Sequence, residues 1–166
     1  MGAEGDRVAL RMQRGCRCFA AAIGGELVGY GWVSTGAEWM GEPQLQIRPS
    51  RGEAYIWNCL TVPAHRQKGV FGALLGAIKA QRKGDGFNRV WIGSVRHPAE
   101  NGIYGAKFVP VLRLDTTSRW GFRWLRILPA YKADPQLAAA ASTALGSRGA
   151  PLGAGFYLSR AKTKRH

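Results

Sequence analysis

The residues best placed to do chemistry form one short stretch, Arg66-Gln67-Lys68-Gly69-Val70-Phe71-Gly72. Arg66 and Lys68 bring two positive charges beside a glycine, where an apolar, strand-like run gives way to helical spacing. Gly69 lets backbone approach an anion without a side chain in the way. The first N–H groups of a helix lack acceptors within it, and the helix dipole adds partial positive charge there. The chemistry this suits is capture of a phosphate or pyrophosphate, with Gly72 relaxing crowding one turn later. The same residues also suit a plain solvent-facing helix start. The three close-spaced glycines of a dinucleotide turn and the Gly-Lys-Ser/Thr ending of a Walker loop are both absent.

Other reactive side chains make no short constellation. Cys16, Cys18 and Cys59 with His65, His97 and His166 lack the spacing of a disulfide scaffold or a four-ligand zinc site, so no metal is expected. Cys59 has no histidine at readable spacing and reads as a small core residue rather than a nucleophile.

A strand, a turn and a helix must position the anion-binding stretch. Glu53 to Val62 is nearly continuous in apolar and β-forming residues, as in a central strand covered on both faces, and Pro63 ends it. Val70, Phe71, Leu74, Leu75 and Ile78 then recur at helical spacing until Gly84 to Gly86. Arg89 to Val95 reads as the next strand, giving a βαβ unit. Upstream, Cys18–Ile23 and Leu27–Val33 form a hairpin through Gly24-Gly25, and Met1 to Asp6 reads as flexible. Thr35 to Pro43 reads as a loop and Gln44 to Ile47 as a short strand. Downstream come a short helix within Pro98 to Lys107, late strands near Val109–Thr116 and Phe122–Leu128, and an Ala-rich helix over Asp134–Leu145. The expectation is one domain over residues 1–158 and a basic tail over 159–166.

Leu60-x-Val62-Pro63-x-x-Arg66-x-x-Gly69-Val70-Phe71-x-x-Leu74-Leu75 resembles the acyl-CoA-binding motif of the GCN5-related N-acetyltransferase (GNAT) superfamily. Phe71 stands where that motif has Gly or Ala. The resemblance implies an α/β fold with a central mixed, mostly antiparallel sheet flanked by helices. Such proteins open with a strand and two helices. About 17 residues precede the first hairpin here, so this chain is expected to lack that opening. It further implies that the backbone of Leu60, Thr61 and Val62 holds the pantetheine arm of acetyl-CoA or another acyl-CoA. Gln67, Lys68, Gly69, Val70, Phe71 and Gly72, with Arg66, would hold the pyrophosphate.

The segment from His97 through Asn101 and Tyr104 to Phe108 resembles the family stretch that runs from an Asn to a Tyr. His97 or Asn101 takes the Asn position in alternative alignments. Tyr104 would protonate the departing thiolate, or else serve as a core or rim aromatic. Glu53 could deprotonate the acceptor ammonium or stand as an exposed strand-end charge. The implied activity is acyl transfer to an unidentified amine, with a noncatalytic acyl-CoA-binding module as the alternative.

Composition constrains the partners. Twenty-four Lys and Arg against ten acids give a net charge of +14, which attracts nucleic acid and phosphorylated cofactors alike. No zinc finger, RRM signature or base-reading repeat accompanies it, so nucleic acid rests on charge alone. No apolar run reaches membrane-spanning length and no secretory signal opens the chain, so a cytoplasmic protein without membrane insertion is expected. A homodimer, whose partner could complete the acceptor wall, is left open. Trp39, Trp120 and Trp124 would either shape an apolar acceptor pocket or bury a partner surface if exposed.

Overall fold

A computed structural model describes residues 3–41, 43–94, 100–120, 122–146 and 155–160, with backbone alone for 3–6, 100 and 155–160. Its elements follow the order α1 (Ala3–Gln13), β1 (Arg17–Ile23), β2 (Glu26–Ser34), β3 (Glu38–Met40), β4 (Leu45–Ile47) and β5 (Glu53–Thr61). A 3-10 turn at Pro63–His65 leads to α2 (Val70–Gly84), β6 (Arg89–Ile92) and α3 (Glu100–Gly105). Then come β7 (Leu112–Arg119), β8 (Phe122–Pro129), α4 (Pro135–Ala144) and β9 (Gly155–Arg160). Contacts group the chain into two compact units, Met1–Glu38 with Arg48–Phe108, and Trp39–Ile47 with Val109–His166.

The first unit is built on a sheet of order β1-β2-β5-β6. β1, β2 and β5 pair antiparallel and β6 runs parallel to β5, so the sheet is mixed and mostly antiparallel, as expected. Helix α2 lays Leu74, Leu75 and Ile78 into the core against Val33, Ala54 and Ile56, and Val70 at its start is buried as well. Arg82 on the same helix is enclosed rather than solvated. Its guanidinium lies 5.4 and 5.3 Å from the rings of Phe19 and Phe87 and pairs with Asp85.

The chain opens with one helix rather than a strand and two helices, and α1 begins at Ala3, inside the stretch expected to be flexible. Helical spacing hides this element because little apolar surface holds it: Leu10 and Met12 are 58% and 57% exposed. Instead Arg11 reaches the sheet, 5.1 Å from the centroid of Trp32 and 4.8 Å from that of Trp57. Such a contact is worth about 0.5–2 kcal/mol per ring.

Strands β5 and β6 are locked together at their first residues. Glu53, 3% exposed, accepts from Arg89 Nη1 at 2.7 Å, Trp91 Nε1 at 2.9 Å and the Ser50 N–H at 3.1 Å. Burial alone would push this carboxyl up, but the donors of Trp91, Arg89 and Ser50 outweigh it and hold it below the usual carboxylate range. Further along, Trp32 faces Trp57 while Tyr30 faces Leu60, which leaves Asn58 and Cys59 opposite Gly31. This is a β-bulge, and Asn58 takes the left-handed backbone (φ 45°) that asparagine tolerates better than most residues.

Helix α3 closes on the start of α2 at Gly102. A Cβ there would lie 2.6 Å from Phe71 Cδ1 and 3.4 Å from the Gly72 nitrogen. The Lys79 ammonium donates to the Ala106 carbonyl and fixes the far end of α3.

In the second unit β8 pairs antiparallel with β7 and β9. Leu125 and Ile127 of β8 are buried, and α4, capped by Asp134 accepting from the Leu137 N–H, buries Ala138, Ala141 and Ala144. β3 and β4 pair with each other; β3 falls inside the stretch Thr35 to Pro43 read as a loop. β9 lies in the stretch leading to the basic tail, whose residues 161–166 lie outside the described ones. Among the described residues no helix is long and apolar enough to cross a membrane.

Two outcomes follow from this packing. Glu53→Gln should lose about 1–3 kcal/mol at neutral pH, because it weakens three hydrogen bonds to a buried carboxylate. A carboxyl depressed in the folded state contributes stability above its unfolded pKa, which is lost as pH falls through the folded value. The difference in melting temperature between Glu53→Gln and the parent should therefore be full at pH 7 and shrink below about pH 4. Gly102→Ala should destabilise by about 1–3 kcal/mol through overpacking, and adding Phe71→Ala should recover part of that loss in a double-mutant cycle of thermal melts.

Candidate functional site

Strands β5 and β6 share a register only from Glu53↔Arg89 to Ile56↔Ile92. β5 continues through Thr61, so its last five residues have one edge with no paired strand among the described residues. The bulge at Asn58 and Cys59 falls where the pairing stops. Val62 N–H donates to Val28 O at 2.9 Å, and the strand alternation therefore turns the N–H and C=O of Thr61 to the open edge. Arg66 Nε donates to that Thr61 carbonyl at 3.2 Å. Of the three residues expected to offer backbone here, Leu60 and Val62 face β2, and Thr61 carries the outward donor.

Beyond Thr61 the chain turns tightly. His65 N–H donates to Val62 O at 2.9 Å and Arg66 N–H to Pro63 O at 3.2 Å. Gln67 (φ 60°) and Gly69 (φ 80°) both take left-handed backbone with Lys68 between them, a geometry that gathers consecutive N–H groups on one side. Gly69 is the N-cap of α2 without a side-chain cap, and Ala73 N–H makes the first bond, to Gly69 O at 3.0 Å. The N–H groups of Val70, Phe71 and Gly72 thus precede the helical ladder, and no acceptor meets them among the described residues. A Cβ on Gly69 would meet nothing within 4 Å, so the space over this cap is open. Gln67 and Lys68 are exposed, as is Arg66. Phe71 turns its ring to the core and to Gly102, while its backbone N–H stays in the first turn of α2.

The remaining expected residues lie around this turn. Asn101 and Tyr104 sit on α3, the helix that abuts the start of α2, and Tyr104 is 52% exposed. His97 lies outside the described residues. Glu53 sits at the opposite end of β5 from Thr61, roughly 25 Å away at the usual rise per residue, with its carboxylate committed as described. Burial pushes the Cys59 thiol up to about 12, with Cys18 adding to the shift, so it is a neutral core group at physiological pH.

Three features of the site were not read from the sequence. Asn58 forms the bulge; with its amide oxygen turned toward Arg11, it accepts from Nη1 and Nη2 at 2.9 and 3.1 Å. Gly102 admits Phe71, and Lys79 holds α3. An asparagine inside an apolar strand was the one available signal for the first; the others depend on partners distant in sequence.

Comparison with known proteins bears on the family and the fold. Residues 3–103 match the model of the acetyltransferase (GNAT) family. A search of curated protein sequences gave no match. Among solved structures, a putative acetyltransferase from Agrobacterium tumefaciens superposes with a TM-score of 0.52 at 17% identity, over 72% of this chain and 77% of that one. The aminoglycoside N-acetyltransferase AAC(6')-Iy, in complex with a bisubstrate analogue of CoA, gives a TM-score of 0.52 at 14% identity, over 71% and 81%. These two likenesses speak for the fold. With the family match spanning more than half of its length, the chain belongs to the acetyltransferase (GNAT) family, whose chemistry is acetyl transfer from acyl-CoA.

Proposed function

We propose that this protein is an acyl-CoA-dependent N-acyltransferase that moves an acetyl or other short acyl group to an amine by direct attack. The observation that carries this reading is the continuity of two donor sets: the open edge of β5 at Thr61 runs into the unfilled N–H groups at the start of α2. The residues fit the cosubstrate. The Gly69 cap, with Gln67, Lys68 and Val70 to Gly72, suits a pyrophosphate, and the Thr61 N–H suits an amide of an extended pantetheine arm. Bound acyl-CoA supplies the thioester carbonyl and the thiolate leaving group. Backbone N–H groups along the open edge orient the carbonyl and stabilise negative charge on its oxygen. Tyr104, exposed on the helix beside the turn, is the group we assign to proton donation toward the departing sulfur, and Asn101 and His97 are assigned to cosubstrate binding.

Proton removal from the amine is assigned to solvent rather than to Glu53. Its carboxylate has three donors and lies at the far end of the strand. That commitment also favours a second reading, a noncatalytic acyl-CoA-binding module, which shares the turn and differs only in turnover.

Calorimetric titration with acetyl-CoA, at enough salt to suppress loose charge pairing, should give saturable one-site binding. Gly69→Glu should weaken it at least roughly tenfold by adding bulk, backbone strain and negative charge at the cap. Unchanged affinity in a folded variant would remove the turn from the site. Tyr104→Phe should keep that affinity and slow thiol release from acetyl-CoA with an amine acceptor on the order of a hundredfold. Equal turnover would end its acid role. Binding without thiol release across a panel of small amines and peptides would favour the noncatalytic reading.

A further inference from the structure

We propose that the face of β7 and β8 bearing Phe122 and Trp124 binds single-stranded nucleic acid. The inference concerns the second unit alone and stands apart from the acyl-CoA site. The register pairs Thr117 with Trp124, Arg119 with Phe122 and Asp115 with Arg126. Strand alternation then sets these residues on one face, while Leu125 and Ile127 are buried on the other. The outward face of a packed hairpin is ordinarily polar, yet here it carries aromatic rings.

Those rings are accessible and lie beside arginines. Phe122 is 47% exposed, and its ring lies 6.3 Å from that of Trp124 at an angle of 48°. Trp120, at the hairpin tip, is 81% exposed, with the Arg119 guanidinium 4.4 Å from its centroid. Water gains nothing from such surface. A base does, because every base offers a π-face to an aromatic ring or to a guanidinium plane, independent of sequence.

Charge matches a polyanion. Residues 109–166 hold ten Lys and Arg against two acids. Both acids are engaged: Asp115 receives three hydrogen bonds from Arg113 at 2.7–3.1 Å, and Asp134 caps α4. Arg119 and Arg126 share the face of the rings and suit phosphates. An anionic membrane would share the charge but not the layout. Thr117 and Asp115 interrupt the apolar surface, whereas a membrane-inserting face is continuously apolar. Stacked bases with flanking phosphates fit an alternation of rings and cations.

The test uses the full chain and fluorescence anisotropy with a labelled thymidine homopolymer of roughly twelve nucleotides. A duplex of the same length and phosphatidylserine vesicles serve as the comparison ligands. The homopolymer should bind more tightly than the duplex, with affinity falling as salt rises between about 50 and 200 mM. Trp120→Ala with Phe122→Ala should weaken binding roughly tenfold without altering the salt slope. The single variant Trp120→Ala, at an exposed position, keeps the test open should the double variant melt early. Equal binding of duplex and homopolymer, wild-type affinity in the ring variants, or saturable binding to vesicles but not to the homopolymer would each overturn the proposal.

Discussion

Strand β5 pairs with β6 over its first four residues and with β2 from Tyr55 to Thr61, so among the described residues it keeps one paired edge past Ile56, and the site depends on this change. A strand buried in a sheet must place its backbone groups somewhere, and an edge left open in the middle of a core is costly. Here the Asn58–Cys59 bulge falls just past the last pair with β6, while β2 stays paired to the end. The anchor lies at the other end, where Glu53 ties Arg89, Trp91 and the Ser50 turn into one network. Held firmly at its first residues, the pair ends at Ile56 and Ile92, and β5 runs on past it. The turn after Thr61 continues its donor line into α2.

What was legible in the sequence was local. Gly69, the charges beside it, and the spacing of Val70, Leu74, Leu75 and Ile78 lie within one turn and one helix, and the structure places them as they read. The apolar run from Glu53 likewise declares a central strand without reference to its neighbours. What was hidden depends on residues far apart. The bulge is a mismatch of register between two strands, so Asn58 carries little sign of it alone. Gly102 is one more glycine in a short helix, and only its contact with Phe71 gives it a purpose. Glu53 looked like a loose strand-end charge because Arg89, its partner, lies 36 residues away.

Phe71 joins these two kinds of information. In the motif it is a departure, an aromatic ring where a small residue belongs beside bound phosphates. In the fold its ring turns from the turn to the core, and the small residue has moved to the facing helix. The backbone at Phe71 is then free to offer its N–H as any residue there would. The substitution pattern is therefore a pair, a large residue on α2 and a glycine on α3, and reading either alone misleads.

Helix α1 raises a question of local stability. Its residue Arg11 lies between two indole rings and the Asn58 amide, while Leu10 and Met12 face solvent. None of the described side chains of α1, residues 7–13, is buried, so the helix can open without opening the core beneath. Through Arg11 the helix covers the rings of Trp32 and Trp57. Its amides should exchange with solvent through local opening, well before those of β2 and β5, and each opening bares an aromatic surface on the back of the bulge.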